Sequence, residues 1–548
     1  MAEREKSGSD KEEFNLFWAD QLAQKIITRN KFRYSDKEIP KFREFVVKTS
    51  ASISGVLHIG RLSDTIRGAS VLRALEDSGV KAKLIWVAED MDPLRKIPEG
   101  VPASYEKYIG MPVTDIPDPD GCHESYAEHH KEKYFEVLHE FVFVGMEKFS
   151  TRAEYRKGSF SPYIKKILEN VEAVKKIQNK HRTNPLKRNW SPWTPICEKC
   201  GKIVTARVIK VEDGKVHYTC KDYIFESTTA KGCNYKGVDD PMKGNGKLLW
   251  KSEWAAEWAF WKVCCEGAGK EYIVPNSAFW INAEIVETVL DFPAPEPLFY
   301  EHLMIDGTKM SASLGNVVYP HDWLQVAGPQ LLAFFYNKRL MMTRSFSWRD
   351  LPQLYDEYDD AAKVYFGLKS TGNEKEDSHI KRLYGVSNAK DSLEKPLSMG
   401  FSHAAMLSQI FSSEADIFSS LKKTGQYLEG LEKEIIGRIK RAGVWLNKYA
   451  PDSERFVLQE SVSGEIKSKL DGKQKEALRL VVAALKEKEW QQKELFEEFY
   501  EICKKTGLDP KEFFRAGYMV LLNKDRGPKL APFILALGEK ALRLLEQV

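Results

Sequence analysis

The chain has 548 residues, of which 43% are hydrophobic and 30% charged, and its net charge is only +4. That composition belongs to a globular protein of several domains, and it excludes a globally basic nucleic-acid binder: an RNA partner would need local basic patches. No apolar run approaches the ~20 residues of a membrane helix, and the eight cysteines are dispersed, four of them at metal-ligand spacing, which points to a reducing cytoplasm rather than a disulfide framework.

Residues 1–12, MAEREKSGSDKE, are charged, lack an apolar core and read as a disordered leader, not a secretory signal. Over 13–36, Phe14, Leu16, Phe17, Ala19, Leu22 and Ile26 recur at helical spacing and predict an amphipathic helix packed on a sheet. Phe45-Val46-Val47 predicts a buried strand, and Leu62 to Glu76, with Ile66, Ala69, Leu72 and Leu75, predicts a helix. Gly55 to Gly60 therefore stands where a strand turns into a helix. Small residues there let a ligand approach the backbone, and the helix N-terminus favours phosphate. A second buried strand, KLIWVA at 83–88, ends in Glu89-Asp90-Met91-Asp92. Acids at the carboxyl end of such a strand sit where α/β sheets bind ligands, although a solvated turn explains them equally well.

Gly121-Cys-His-Glu-Ser-Tyr-Ala-Glu-His-His130 matches no zinc motif, so no metal is assigned to it. Residues 134–187 are helical and charged and fit an insertion in the nucleotide-binding fold. Cys197 and Cys200 form a CxxC pair, followed by a predicted hairpin with Asp213-Gly214 at its turn, and then by Cys220 and Cys233. Four thiolates complete a tetrahedral, closed and hence structural zinc site. Buried thiols without metal, or His217 in place of one cysteine, are the alternatives. Trp250, Trp254 and Trp258 recur every four residues and share a helix face. Further on, Asp306-Gly-Thr-Lys309-Met310-Ser311-Ala312-Ser313-Leu-Gly-Asn316 is a Gly/Ser-rich loop carrying a lysine, which can bring positive charge to a triphosphate. After Asp350 the chain reads as almost all helix: connecting helices and a polar linker over 351–395, then amphipathic helices at 402–422, 424–448, 475–487, 492–506, 510–522 and 528–546. Lys524, Arg526 and Lys529 around Gly527-Pro528 form a basic turn suited to phosphate.

His58-Ile59-Gly60 resembles the HIGH signature of class I aminoacyl-tRNA synthetases, and Lys309-Met310-Ser311 resembles their KMSKS loop. DPLRKIP from Asp92, KYIGMPV from Lys107, IPDP from Ile116, GCHESYAEH, Asn447-Lys-Tyr-Ala-Pro451 and Lys524-Asp-Arg-Gly-Pro-Lys-Leu-Ala531 together resemble the archaeal-type class I lysyl-tRNA synthetases, from about residue 15 to the end. The resemblance implies a Rossmann-type α/β catalytic domain in two halves, 13–95 and 246–350. A 96–245 insertion with a zinc ribbon at about 195–235 separates them, and an all-α anticodon-binding domain follows at 396–548. It also implies ATP-dependent ligation of lysine to tRNA(Lys) through a lysyl-adenylate, with Mg2+ and structural Zn2+, by a cytoplasmic monomer. By the same resemblance His58 and Lys309 are catalytic. Ser52, His58, Gly60, Lys309, Ser311 and Ser313 bind ATP; Ser50, Ser52, Asp90, Trp254 and Tyr272 meet the amino acid; Lys524, Arg526 and Lys529 meet tRNA.

The chain departs from that family inside the site. Arg61 replaces the usual Asn or Thr, Ser50 a glycine, Ser52 a threonine, and Glu271, Tyr272 and Trp280 an Asp, a His and an Asp. These changes leave two other readings open: a diverged paralogue that binds tRNA or another partner without charging it, or an enzyme for a different amino acid.

Overall fold

The structure, a computed structural model, describes residues 17–53, 57–98, 101–310, 316–391, 393 and 395–548. The expected leader, Gly55, Ser311 and Ser313 lie outside the described residues. The chain divides into two units: 1–320 with 332–345 and 382–393, and 321–331 with 346–381 and 394–548.

The first unit is built on a five-stranded parallel sheet. Its strands are β1 (Phe45–Ser52), β2 (Ala82–Glu89), β3 (Met146–Ser150), β4 (Val263–Gly269) and β5 (Glu296–Tyr300), in the spatial order β5-β4-β1-β2-β3. Val46, Val47, Leu84, Ile85, Trp86 and Val87 are buried, as strands covered on both faces require. Helix α1 (Trp18–Thr28) buries Ala19, Ala23 and Ile26, and helix α2 (Ile59–Asp77), which joins β1 to β2, buries Leu62, Ile66, Leu72 and Leu75. The order reverses between β1 and β4, and the crevice at the carboxyl ends of those two strands is where such sheets bind ligands.

β3 corrects the expected boundary at residue 95. Met146–Ser150 pairs in parallel with β2 from Leu84 to Ala88, so the sheet continues into the stretch read as insertion. It is an edge strand with two exposed residues and no apolar run, which leaves it without a sequence signal. Between β3 and β4, Ala206–Glu212, Lys215–Cys220 and Lys236–Asp239 form a three-stranded antiparallel sheet. Asp213 and Gly214, at φ 50° and 73°, make its expected tight turn.

In the second unit the described residues from 396 onward are helical with loops between. Two expected helices are broken. The first divides into Phe401–Ile410 and Glu414–Lys423, the latter capped by Ser413, whose side chain accepts from Asp416 N–H. The last breaks at Gly538 (φ 53°) into Leu530–Leu537 and Glu539–Leu545. The helix expected over 424–448 begins at Glu432.

Candidate active site

The crevice holds a pocket of about 270 Å3, and Ser50, Ser52, His58, Gly60, Arg61 and Lys309 are among its lining residues. Ser50 and Ser52 come from the end of β1. His58 is the N-cap of α2 (φ −130°, ψ 161°) and leaves its side chain free of the capping bond. The first turn of α2 is pinned by Ile59 N–H donating to Val318 O (3.0 Å) and by Tyr336 hydroxyl donating to Ile59 O (2.9 Å). His58 Nδ1 is buried with no hydrogen-bond partner among the described residues, and burial together with Arg61 pushes its pKa down to about 4, so the imidazole is neutral at physiological pH. Lys309 is exposed on the two-residue strand Thr308–Lys309, which folds back on Leu303–Ile305 through Asp306 (φ 47°) and Gly307 (φ 78°).

The two signature segments meet at Gly60. A Cβ there would lie 2.5 Å from Met310 Cε and 3.0 Å from the His58 ring, so a side chain at this position would displace the Met310 methyl from the start of α2. Arg61 Nη1 donates to Ser52 O at 2.6 Å, and Ser52 Oγ donates to Asp92 Oδ2 at 2.9 Å. Asp64 underlies the pocket. Its Oδ2 accepts Ser50 N–H at 3.2 Å, and a Cβ on Gly267 would fall 1.8 Å from its Oδ1. His302 Nε2 pairs with Glu271 Oε2 at 2.8 Å. Asp64, Tyr300 and His302 line the pocket without belonging to any recognisable motif.

Asp90 is a correction. It is fully buried, and its Oδ1 accepts from Thr151 hydroxyl and Arg152 N–H at 2.9 Å each, at the start of the helix Thr151–Lys157. It is absent from the pocket lining, as are Trp254 and Tyr272, but its carboxylate is taken up in holding that helix on the sheet. Trp254 is 3% exposed, stacked on Trp250 (4.6 Å, 25°) and edge-on to Tyr272 at 5.3 Å. Trp258 is core, as expected, and its indole N–H donates to Glu266. The Trp280 N–H donates to Ile273 O at 2.9 Å, which ties the first turn of the helix Ala278–Thr288 to the loop before it.

Under the aromatic wall lies a buried charge cluster. Lys48 Nζ is 2.7 Å from Glu266, 2.9 Å from Glu257 and 3.4 Å from Glu89. Lys247 Nζ is 2.9 Å from Glu253 and 3.9 Å from Asp92. Burial pulls the Lys48 pKa down, but Glu257, Glu266 and Glu89 outweigh it and hold the ammonium charged. Burial pushes Glu257 up to about 7. Burial pushes Glu89 and Glu253 up as well, so the carboxyl groups of the cluster hold their protons more tightly than free ones.

Cys197, Cys200, Cys220 and Cys233 converge, with sulfurs of Cys197 and Cys233, and of Cys200 and Cys220, 3.6 Å apart. Ligands about 2.3 Å from a tetrahedral zinc stand at about that spacing. His217 is outside the cluster, with its ring 3.8 Å from Glu212. A second group, Asp118, Cys122, His123 and His129, also converges, with Cys122 Sγ 3.2 Å from Asp118 Oδ2, 3.0 Å from His123 Nδ1 and 3.2 Å from His129 Nδ1. In this donor set Asp118 comes from the preceding turn and His129 from the helix Tyr126–Phe141. No single-element spacing reveals that donor set. In the helical unit, Lys524, Arg526 and Lys529 line one cavity of about 590 Å3 together with Asp356, His403 and Gln426.

A parallel sheet with its HIG turn and lysine loop brought together at the switch point defines a class I aminoacyl-tRNA synthetase. Residues 16–390 match the family described as tRNA synthetases class I (K), and the chain belongs to that family. It is 32% identical to the lysine–tRNA ligase of Methanocaldococcus jannaschii over 96% of this chain and 98% of that one. It is 34% identical to those of Thermococcus kodakarensis (96% and 99%) and Pyrococcus furiosus (96% and 98%).

Proposed function

We propose that this protein ligates lysine to tRNA(Lys) at the expense of ATP. The observation that carries the reading is the junction of the two signatures at Gly60, which gathers His58, Arg61 and Lys309 around one pocket at the sheet's switch point. The lysine carboxylate attacks the α-phosphorus of ATP, the bond to the pyrophosphate oxygen breaks, and pyrophosphate leaves; Mg2+ bound with ATP would offset the phosphate charge. A hydroxyl of the terminal ribose then attacks the adenylate carbonyl, and AMP leaves. No side chain need become a nucleophile, because positioning and charge stabilisation supply the catalysis. His58 donates a neutral hydrogen bond to phosphate, and Lys309 neutralises the departing pyrophosphate. The serine side chains of β1 face the substrates, and Trp254 with Tyr272 forms a wall for the aliphatic stem and ammonium of lysine.

Two structural zinc ions fit the donor sets: one on the four cysteines, and one on Asp118, Cys122, His123 and His129. Both sets offer four protein ligands and leave no open position for catalysis. The basic turn at Lys524, Arg526 and Lys529 is assigned to tRNA phosphate.

The test is ATP–pyrophosphate exchange with each amino acid in turn. A lysine-dependent signal is expected. A signal with another amino acid only, or none with or without tRNA, would overturn the reading.

A further inference from the structure

We propose that Asp64 takes the α-ammonium of the amino-acid substrate. This rests on the reading above that the pocket activates an amino acid.

Asp64 stands in the second turn of α2 and is 8% exposed, yet it lines the pocket together with Ser50, Ser52, His58 and Lys309. It is the one acid among the described lining residues, and it shares that lining with the cations Arg61 and Lys309. Its Oδ2 is in use, accepting Ser50 N–H at 3.2 Å. Its Oδ1 fills the space that Gly267 leaves on β4 and has no hydrogen-bond partner among the described residues. A buried carboxylate with an open oxygen is costly until a donor or a cation completes it.

The described cations around Asp64 are committed elsewhere. Lys48 is held by Glu266, Glu257 and Glu89. Arg67, one turn further along α2, donates to Ser63 Oγ and lies over the rings of Tyr300 and Tyr336 at 4.8 and 5.1 Å. Arg61 donates to Ser52 O, and His302 pairs with Glu271. Burial pushes the Asp64 carboxyl up to about 6, so it is ionised at neutral pH, and a bound ammonium keeps it so.

The place in the pocket decides which ammonium it meets. Asp64 shares the lining with His58 and Lys309, where the substrate carboxylate reaches the α-phosphorus. Trp254 and Tyr272, which take the stem of lysine in the reading above, are absent from that lining. The ammonium beside the reacting carboxylate therefore falls to Asp64, and the distal one to the aromatic wall.

The test compares lysine with 6-aminohexanoate, which is lysine without its α-amino group, in the parent and in Asp64→Asn. The lysine KM in pyrophosphate exchange should rise about ten- to a hundredfold, as for loss of one charge-assisted bond. The KM for ATP and the inhibition constant of 6-aminohexanoate should stay within twofold. Gly267→Ala, whose Cβ would fall 1.8 Å from Oδ1, displaces the carboxylate without removing it and should show the same selectivity with a smaller loss. A lysine KM within twofold of the parent would overturn the proposal, as would equal losses for lysine and 6-aminohexanoate. Should Asp64→Asn fail to fold, Gly267→Ala decides by the same two comparisons. If the parent activates a different amino acid only, the lysine reading fails, and that amino acid with its deamino analogue still decides the role of Asp64. A parent that binds no amino acid would overturn both.

Discussion

His58 and Lys309 reach the crevice by opposite routes. His58 is locked at the head of a buried helix, whereas Lys309 rides a turn whose two left-handed residues hold it clear of the sheet. Replacing either by alanine should slow activation by about 2–4 kcal/mol of transition-state stabilisation, measured as kcat/KM in pyrophosphate exchange. Folded variants that activate lysine at the parental rate would remove both residues from the mechanism. Of the remaining site, the signatures were legible in sequence because each is local. Asp64 and the His302–Glu271 pair were not, since they reach the pocket from a helix face and from separate loops that only the folded sheet brings together. Asp90 shows the converse: its place at a strand end was read correctly, but sequence cannot say that its carboxylate turns to cap the next helix.

Among the elements, strands with continuous apolar runs were readable, and the edge strand Met146–Ser150 was not, because its stability comes from pairing with β2 rather than from its own burial. The hairpin of the cysteine cluster was readable because Asp-Gly dictates its turn. Its small sheet buries few side chains, with Ile209, Val211 and Val238 exposed, and a metal on the four cysteines would add the stability its core does not supply. Elemental analysis should find two zinc ions per chain. Cys197→Ser should lower this to about one and speed amide exchange over about 190–240, whereas His129→Ala should remove the other ion and leave that segment protected. Metal-free protein with an equally protected ribbon would show the thiols to be packed without zinc.

Across the whole molecule, each unit keeps a half-buried imidazole that is neutral when folded. His58 in the first unit and His403 in the second are both pushed to about 4 by burial, the latter also by Lys529. Their folded pKa lies below the unfolded value of about 6.5, so the unfolded chain binds more protons between these values. The stability they contribute is complete above pH 6.5 and is lost as pH falls through 4. For His403 the loss is on the order of 1–2 kcal/mol at pH 5. Tm measured from pH 7 to 5 should fall less in His403→Gln than in the parent, and equal slopes would remove His403 from the acid response.

The contact between Met310 and Gly60 has a chemical consequence, because a thioether can be altered without changing the sequence. Met310 is half-exposed, and its methyl group fills the space that glycine leaves on α2. Oxidation to the sulfoxide sets a polar oxygen against that apolar seat and disfavours the docked loop. Peroxide should therefore slow lysine activation, methionine sulfoxide reductase should restore it, and Met310→Leu should resist the oxidant; a leucine variant inactivated as fast as the parent would place the damage elsewhere. Charging of tRNA would then slow under oxidative stress and resume on repair, with the joint between the two signatures as the sensor.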